Sequence, residues 1–541
     1  MHRGGRRRSL VIGLALMALA GSGAFSGCAD DDDDGGGGSG KAGGTIRISH
    51  LLFPDYLDPA LSYTVDGWQA LQLVYPGLVT FPHDKSGAAS AEVVPGLAES
   101  LPEISEDGRT YEFQLREDLR FSDGTPLRAS DFKASIERIL ASGSQGIGLG
   151  YDNIAKIQVD DASGRITIRL KNRRGQFLYE LAIPFGGVVP ADTPAKNQTN
   201  SPPPGAGRYR IVDVNAPRTY SLVRNENFSE GLEGTAVDAG HVDRIDAVVM
   251  NEANAATQIS QGKLDFMVDN PPSDRLAEIR AKYPDRYREF GTNSTYFFFL
   301  NTEVPPFDKL AVRQAANHVV DPEAISRIFG GTISAAHTVL PPGVPGHPGG
   351  DDLYPTDMDR AKELIREAGA EGADVAVITN PVAAPKNAAE YYADQLTEAG
   401  LDAEVKVLGE ETYFSTIGSR SLKPQTGFTN FFQDYPHPAN FLDRMVNPDS
   451  VSETASSNLA YNAGDEQLAD RIEELNQEPE LTDDVKRRWG EIDRYAQEQA
   501  LMAIYGNKEQ ATFFSEKMDF ENCKGDNHAV YTHDWHGFCL K

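Results

Sequence analysis

The chain has 541 residues, 40% hydrophobic and 24% charged, too long for one ordinary core and too apolar for a disordered or fibrous protein. Its formal charge is −29, or −33 once the four arginines of the first 27 residues are set aside, and such an acidic surface repels nucleic acid. Several lobes with a solvated surface are expected, and the charge itself names no substrate.

Arg3, Arg6, Arg7 and Arg8 precede the apolar run Leu10 to Ala20 and the small-residue stretch Gly21 to Gly27, the three parts of an export signal over residues 1–27. The run is about half of the roughly 20 residues needed to span a bilayer, and no later stretch is long and uncharged enough. Ser26-Gly27-Cys28 resembles the lipobox at which bacterial lipoproteins are cleaved and acylated, with Phe25 in place of the usual leucine. Cys28 is therefore the expected lipid anchor on the outer face of the cell membrane, the alternative being an ordinary secretory signal with an incidental cysteine. Residues 28–44 contain Asp30 to Asp34 and Gly35 to Gly38, with nothing apolar to bury, and are expected to form a disordered tether.

The body opens with a strand at Thr45 to Ser49, followed by Leu57-Asp58-Pro59. Alternation of Tyr111, Phe113 and Leu115, and of Ile166, Ile168 and Leu170, predicts half-buried antiparallel strands. Residues 81–204 read as a sheet-based subdomain inserted into a first lobe made of 45–80, 205–298 and 510–541. Arg208 to Val214 and Thr219 to Arg224 flank a turn and predict a hairpin. Strand Ile245 to Met250, helix Glu252 to Gln261 and strand Leu264 to Val268 predict a parallel pair. The same grammar recurs in a second lobe, 299–509: a helix carrying Ala361, Leu364, Ile365 and Ala368, strand Val375 to Thr379, helix Asn387 to Ala399, strand Ala403 to Leu408. Two α/β lobes facing each other form a natural cleft.

Phosphate-loop, zinc-helix and nucleophile-elbow motifs do not occur. Ser130-Asp131-Phe132-Lys133 fits the S-x-x-K of penicillin-recognising serine enzymes but lacks that class's partner motifs, and Ser130 reads as a helix N-cap. Cys523 and Cys539 are expected to pair as a disulfide in an oxidising compartment; a structural metal with His528, His533 and His536, or free thiols, are the alternatives.

Several segments together resemble the peptide- and nickel-type extracytoplasmic solute-binding proteins, family 5, of ABC importers, over nearly the whole mature chain. They are Val93 to Ser100, Asp107 to Arg116, Phe121 to Leu127, Gly205-Ala206-Gly207-Arg208-Tyr209, Phe299 to Thr302, Pro306-Phe307-Asp308 and Val312 to Ala315. The resemblance implies a two-lobed periplasmic-binding-protein-like α/β fold of class II, cluster C, capturing a peptide or similar solute for a membrane permease, without catalysis, cofactor or metal and as a monomer. Nickel complexes and oligosaccharides are the alternative ligands, an exported hydrolase or a receptor for a sensor the alternative functions. In peptide-binding relatives a carboxylate in an aromatic D-Y-x-x-P segment holds the ligand's α-ammonium, which here points to Asp434, within Phe431-Phe432-Gln433-Asp434-Tyr435-Pro436-His437-Pro438. An aspartate opening a proline turn is the other reading. Phe431, Phe432 and Tyr435 are the expected aromatic walls, and Tyr63 and Trp68 either stack on ligand or pack in the core. Backbone groups of Phe428 to Phe432 are candidates for strand-like pairing with a peptide, and the hinge is expected near Gly205 to Arg208 and Phe298 to Thr302.

Overall fold

The computed structural model describes residues 43–541 apart from 84, 143–149, 455 and 524. The export signal, Cys28 and most of the expected tether lie outside the described residues. Gly43 and Gly44, read as the end of that tether, already belong to the fold: the Gly43 amide donates to the His241 carbonyl at 2.7 Å and the Gly44 amide to the Asp243 carboxylate at 2.9 Å. None of the described helices is long and apolar enough to cross a membrane.

In chain order, strand β1 (Thr45–His50) leads to helix α1 (Val65–Leu71). An antiparallel sheet follows, built from β2 (Thr110–Gln114), β3 (Ile154–Asp160) and β4 (Arg165–Leu170), with the short strand Glu103–Ile104 at its edge. Tyr111 lies opposite Ile168 and Phe113 opposite Ile166, all four buried. These cross-strand pairs pack with Phe132, Ile136 and Ile139 of α2 (Ala129–Ser142), and each such burial contributes about 1.5–3 kcal/mol. The expected cap of α2 is corrected. Ser130 sits one residue inside the helix, where its amide and hydroxyl both donate to Asp161 (2.8 and 2.9 Å), a carboxylate supplied by the β3–β4 turn. Lys133 lies 3.7 Å from Glu137, so the S-x-x-K residues form no serine–lysine pair.

After the short helix α3 (Phe177–Ala182), the chain returns to the first sheet through β5 (Tyr209–Asn215), β6 (Thr219–Arg224), β7 (Arg244–Val249), helix α4 (Glu252–Ser260) and β8 (Phe266–Met267). The sheet order is β8-β1-β7-β6-β5. The expected parallel pair is thus split: β7 and β8 each run parallel to β1, which lies between them. Gly205 and Gly207 return the chain against the segment before it, the Gly207 amide donating to the Val74 carbonyl at 2.9 Å. A side chain at either glycine would strike the carbonyl of Val74 or Leu73, so this passage is a packed seam of the first lobe and not a hinge.

The second sheet takes β9 (Tyr287–Gly291), β10 (Ser294–Leu300), β11 (Asp374–Thr379), β12 (Asp402–Val407), β13 (Thr426–Phe432) and β14 (Met502–Phe513), in the order β9-β14-β10-β13-β11-β12. Between β10 and β11 lies helix α5 (Met358–Glu367), which buries Ala361, Leu364 and Ile365. Helix α6 (Ala383–Glu398) joins β11 to its parallel partner β12 and starts four residues earlier than its pattern suggests, because Pro385 fits a first turn whose amides need no intrahelical acceptor. Phe298 and Phe299 are fully buried, Phe298 stacking on Tyr392 with centroids 3.9 Å apart. The expected hinge at Phe298 to Thr302 therefore lies inside a core. The chain instead passes between the two packed cores at 291–294 and at 506–509, where β14 leaves β10 for β9. The Thr292 amide donates to the Lys508 carbonyl (2.8 Å) and the Lys508 amide to Ser294 Oγ (3.0 Å), tying the two crossings side by side.

The C-terminal segment returns to the first sheet, where Phe514, Trp535 and Phe538 join its core. Cys523 and Cys539 are bonded to each other, their Cα atoms 5.9 Å apart.

Candidate functional site

A cavity of about 370 Å³ opens where the two crossings meet the C-terminal segment. Its walls are Phe290 to Asn293, Phe432 and Gln433 at the end of β13, Asn507 and Glu509 of β14, and His528 to Val530. Phe432 is 38% exposed, an aromatic face turned to open space, and apolar Val65, Phe290, Pro342 and Val530 share the walls with the neutral hydrogen-bonding groups of Thr292, Asn293, Ser334, Gln433 and Asn507. Asn293 Nδ2 donates to Gln433 Oε1 at 3.1 Å, and Gln433 Nε2 donates onward to the Ala529 carbonyl. A second cavity of about 370 Å³ shares Val65, Thr292, Phe432 and Thr532 with the first and continues to Asp66, Asp269, Lys508 and His533. Burial lowers the Lys508 ammonium to about 8 and, with the nearby charge of Asp66, raises the Asp269 carboxyl to about 6.

Along β13 one edge is paired with β10 over the full length 426–432, whereas β11 covers the other edge only at Thr426 and Gly427. Beyond them, Asn430 and Phe431 are half-buried and Phe432 is exposed.

The Asp434 segment is built differently. Its proline turn opens helix α7 (Pro438–Met445), with His437 Nδ1 accepting from the Ala439 amide at 3.2 Å and Pro438 in the first turn. Asp434 is 7% exposed. Its Oδ1 accepts from the Tyr63 hydroxyl (2.8 Å) and its Oδ2 from Asn440 Nδ2 (3.0 Å), with Arg444 Nε at 3.9 Å. Burial would lower the Arg444 guanidinium, but Asp434 together with Tyr63, Tyr435 and Glu180 more than offsets it. Tyr435 is fully enclosed and donates to Glu180 of α3 (3.1 Å), which also takes both Arg174 donors. Burial first, and then the charge of Glu180, drives the Tyr435 hydroxyl well above its usual range. His437 is buried and pushed down to about 3, so it is neutral.

Of the residues expected at the site, Tyr63 and Asp434 thus form one polar contact, and Tyr435 with Glu180 a second, between the first lobe with its insertion and the second lobe. Trp68 is buried, donates to the Ser62 carbonyl (2.8 Å) and meets Tyr63 edge-on at 5.8 Å. Phe431 packs edge-on against Phe441 at 5.2 Å, leaving Phe432 as the expected residue that opens on the cavity. Asn293, Gln433, Asn507, Asp66 and Asp269 were not singled out from sequence. The signal for the first was the Thr292-Asn293 pair breaking the strand pattern just before Ser294 to Leu300.

A model of the bacterial extracellular solute-binding proteins, family 5 Middle, matches residues 92–453. The chain is 28% identical over 428 residues to "Heme-binding protein A" of Haemophilus influenzae, covering 72% of this chain and 74% of that one. It is 26% identical over 457 residues to the "Dipeptide-binding protein" of Escherichia coli, covering 76% and 79%. The solved structure of "Clavulanic acid biosynthesis oligopeptide binding protein 2" superposes with a TM-score of 0.84 at 22% identity, over 93% of this chain and 96% of that one.

Proposed function

The chain belongs to the bacterial extracellular solute-binding proteins, family 5, and on that premise we propose that it captures a short peptide between its lobes and delivers it to the membrane permease of an ABC importer. The observation that carries the ligand class is the 370 Å³ cavity at the lobe crossing, where the side-chain amides of Asn293, Gln433 and Asn507 stand among apolar walls beside Phe432, the last residue of the strand β13 whose edge β11 leaves uncovered beyond Gly427. Amide groups and a free strand edge suit the repeating donors and acceptors of a peptide main chain, giving affinity that tolerates many side chains. The volume sits near the lower end of the roughly 300–1,000 Å³ of ligand pockets, which favours two or three residues over a long chain. Relatives bearing dipeptide- and oligopeptide-binding names support the same class.

Closure is carried by contacts that join the two sides, among them Tyr63 to Asp434, Tyr435 to Glu180, and the Gly175 amide to the Asn476 carbonyl at 2.7 Å. A ligand drives closure only by binding the closed form more tightly than the open one, and the permease then reads the closed surface. The protein releases its guest chemically unchanged and acts as a monomer. A mixture of di-, tri- and tetrapeptides tested by calorimetry should give at least one ligand. At about a hundred times its Kd, that ligand should stabilise the fold by ~2.7 kcal/mol, seen as a raised Tm. Absence of any shift at millimolar peptide sinks the peptide reading.

Cys28 tethers the mature protein to the membrane by an acyl chain. Cys28→Ser should move it from the membrane fraction to the soluble one, and unchanged sedimentation with membranes would refute the anchor.

A further inference from the structure

We infer that Gly175 is the position that lets the two lobes meet: its amide caps a helix of the second lobe on closure, and any side chain at 175 holds the lobes apart. This rests on the solute-binding reading above and adds a residue that sets closure from outside both cavities, since Gly175 lines neither. The loop that carries it belongs to the first lobe's insertion. Phe177 and Leu181, just beyond it, are buried in the core of the inserted sheet. Arg174 Nε donates to Glu180 at 2.8 Å, and the Arg174 carbonyl accepts from the Phe177 amide at 3.2 Å, so the loop is fixed within its own lobe.

The acceptor is helix α8 (Glu466–Asn476), whose Leu468, Ile472 and Leu475 are buried in the second lobe's core. A helix leaves its last carbonyls without intrahelical donors. Here the Gln477 amide turns back to the Glu474 carbonyl and the Glu478 amide to the Leu475 carbonyl, each at 3.2 Å, which leaves the Asn476 carbonyl to be met from elsewhere. The Gly175 amide meets it at 2.7 Å. This bond joins main chain to main chain, each anchored in its own lobe, and it places a donor at the negative end of the helix dipole.

Space, not backbone conformation, requires glycine at this point. Its φ is not positive, so alanine adopts the same backbone without strain. A Cβ there would overlap the Glu478 carbonyl oxygen, with the Glu478 carbonyl carbon at 2.9 Å and the Asn476 carbonyl oxygen at 3.4 Å. These three nearest atoms are all main-chain atoms of the second lobe, so no rotamer change relieves the clash and an open molecule does not feel it. The pairs Tyr63 with Asp434 and Tyr435 with Glu180 differ, being made by side chains that can turn. A penalty confined to the closed form lowers its population and weakens apparent affinity by the same factor.

The test uses the full mature chain with Cys28→Ser and nitroxide labels on Lys156→Cys and Asp470→Cys, both exposed positions, one in each lobe. Pulsed electron resonance reads the distance between labels, and calorimetry reads the binding of trialanine at millimolar concentration. Without Gly175→Ala, the labelled chain should show a short distance that trialanine enriches. Gly175→Ala should lose that short distance and bind trialanine about tenfold more weakly, while its ligand-free Tm stays within about 2 °C. Gly464→Ala, whose Cβ meets nothing within 4 Å, should change neither readout. A short distance and an affinity that survive Gly175→Ala overturn the inference, as does a loss accompanied by a lower Tm or shared by Gly464→Ala. If trialanine does not bind, the peptide reading fails by itself and the ligand-free distances decide. A short population that Gly175→Ala removes supports the inference; its presence in both chains, or in neither, overturns it.

Discussion

Asp58→Asn is expected to lower the stability of the first lobe by about 3–5 kcal/mol, because it leaves a buried guanidinium without its counter-charge. Asp58 is 0% exposed, and its two oxygens take Arg138 NH1 at 2.7 Å and NH2 at 2.6 Å, a bidentate pair across 80 residues of sequence. The same carboxylate accepts from the amides of Ala60 (3.2 Å) and Gln198 (3.0 Å), and Arg138 Nε donates to the Pro194 carbonyl at 2.9 Å. The pair therefore clamps the loop after β1 to α2 and to the segment leading back from the insertion. That loop continues through Tyr63 to Asp66, so both the closure contact and the acidic cavity wall depend on it. The measurement is thermal unfolding with and without ligand. Replacing both partners together, Asp58→Leu with Arg138→Met, should recover much of the loss, since a matched apolar pair leaves no orphaned charge. A Tm unchanged in Asp58→Asn would show that the clamp carries little energy.

Such long-range pairs mark the boundary of what the sequence discloses. Period-two alternation placed Tyr111, Phe113, Ile166 and Ile168 on a buried face, because alternation is a local consequence of burying one side of a pleated strand. It could not place β1 between β7 and β8, since strand order is decided by partners roughly 200 residues apart. Ser130 carried the composition of an N-cap, yet Asp161 from another turn reached the free amides first. The site divides in the same way. Its position in a cleft between α/β lobes follows from topology, whereas the loading of Asp434 by Tyr63 and Arg444 depends on contacts that no motif encodes.

Stability should fall steeply as the medium is acidified from pH 6.5 toward 4, and the cause lies in four buried histidines. Burial holds His437 and His533 at about 3, and His528 and His536 at about 4, against an unfolded value near 6.5. Their folded values are depressed, so the unfolded chain binds more protons, and the stability present above pH 6.5 is lost as pH falls toward the folded values. Asp269 acts oppositely, being raised to about 6, and takes up a proton in the folded state over part of the same window. Burial raises Asp131 and Asp493 in the same opposing sense. The four histidines less Asp269 leave a difference of about three protons near pH 5, a slope of at most roughly 4 kcal/mol per pH unit that Asp131 and Asp493 reduce. Burial alone would raise Asp534, but His83 and His536 beside it hold it well below the usual carboxylate range, adding a further loss only below about pH 4. Urea midpoints between pH 7.5 and 4.5 test this, and His437→Gln should reduce the slope by about one proton. A midpoint constant from pH 7 to 5 would mean that the histidines take up protons in the folded state.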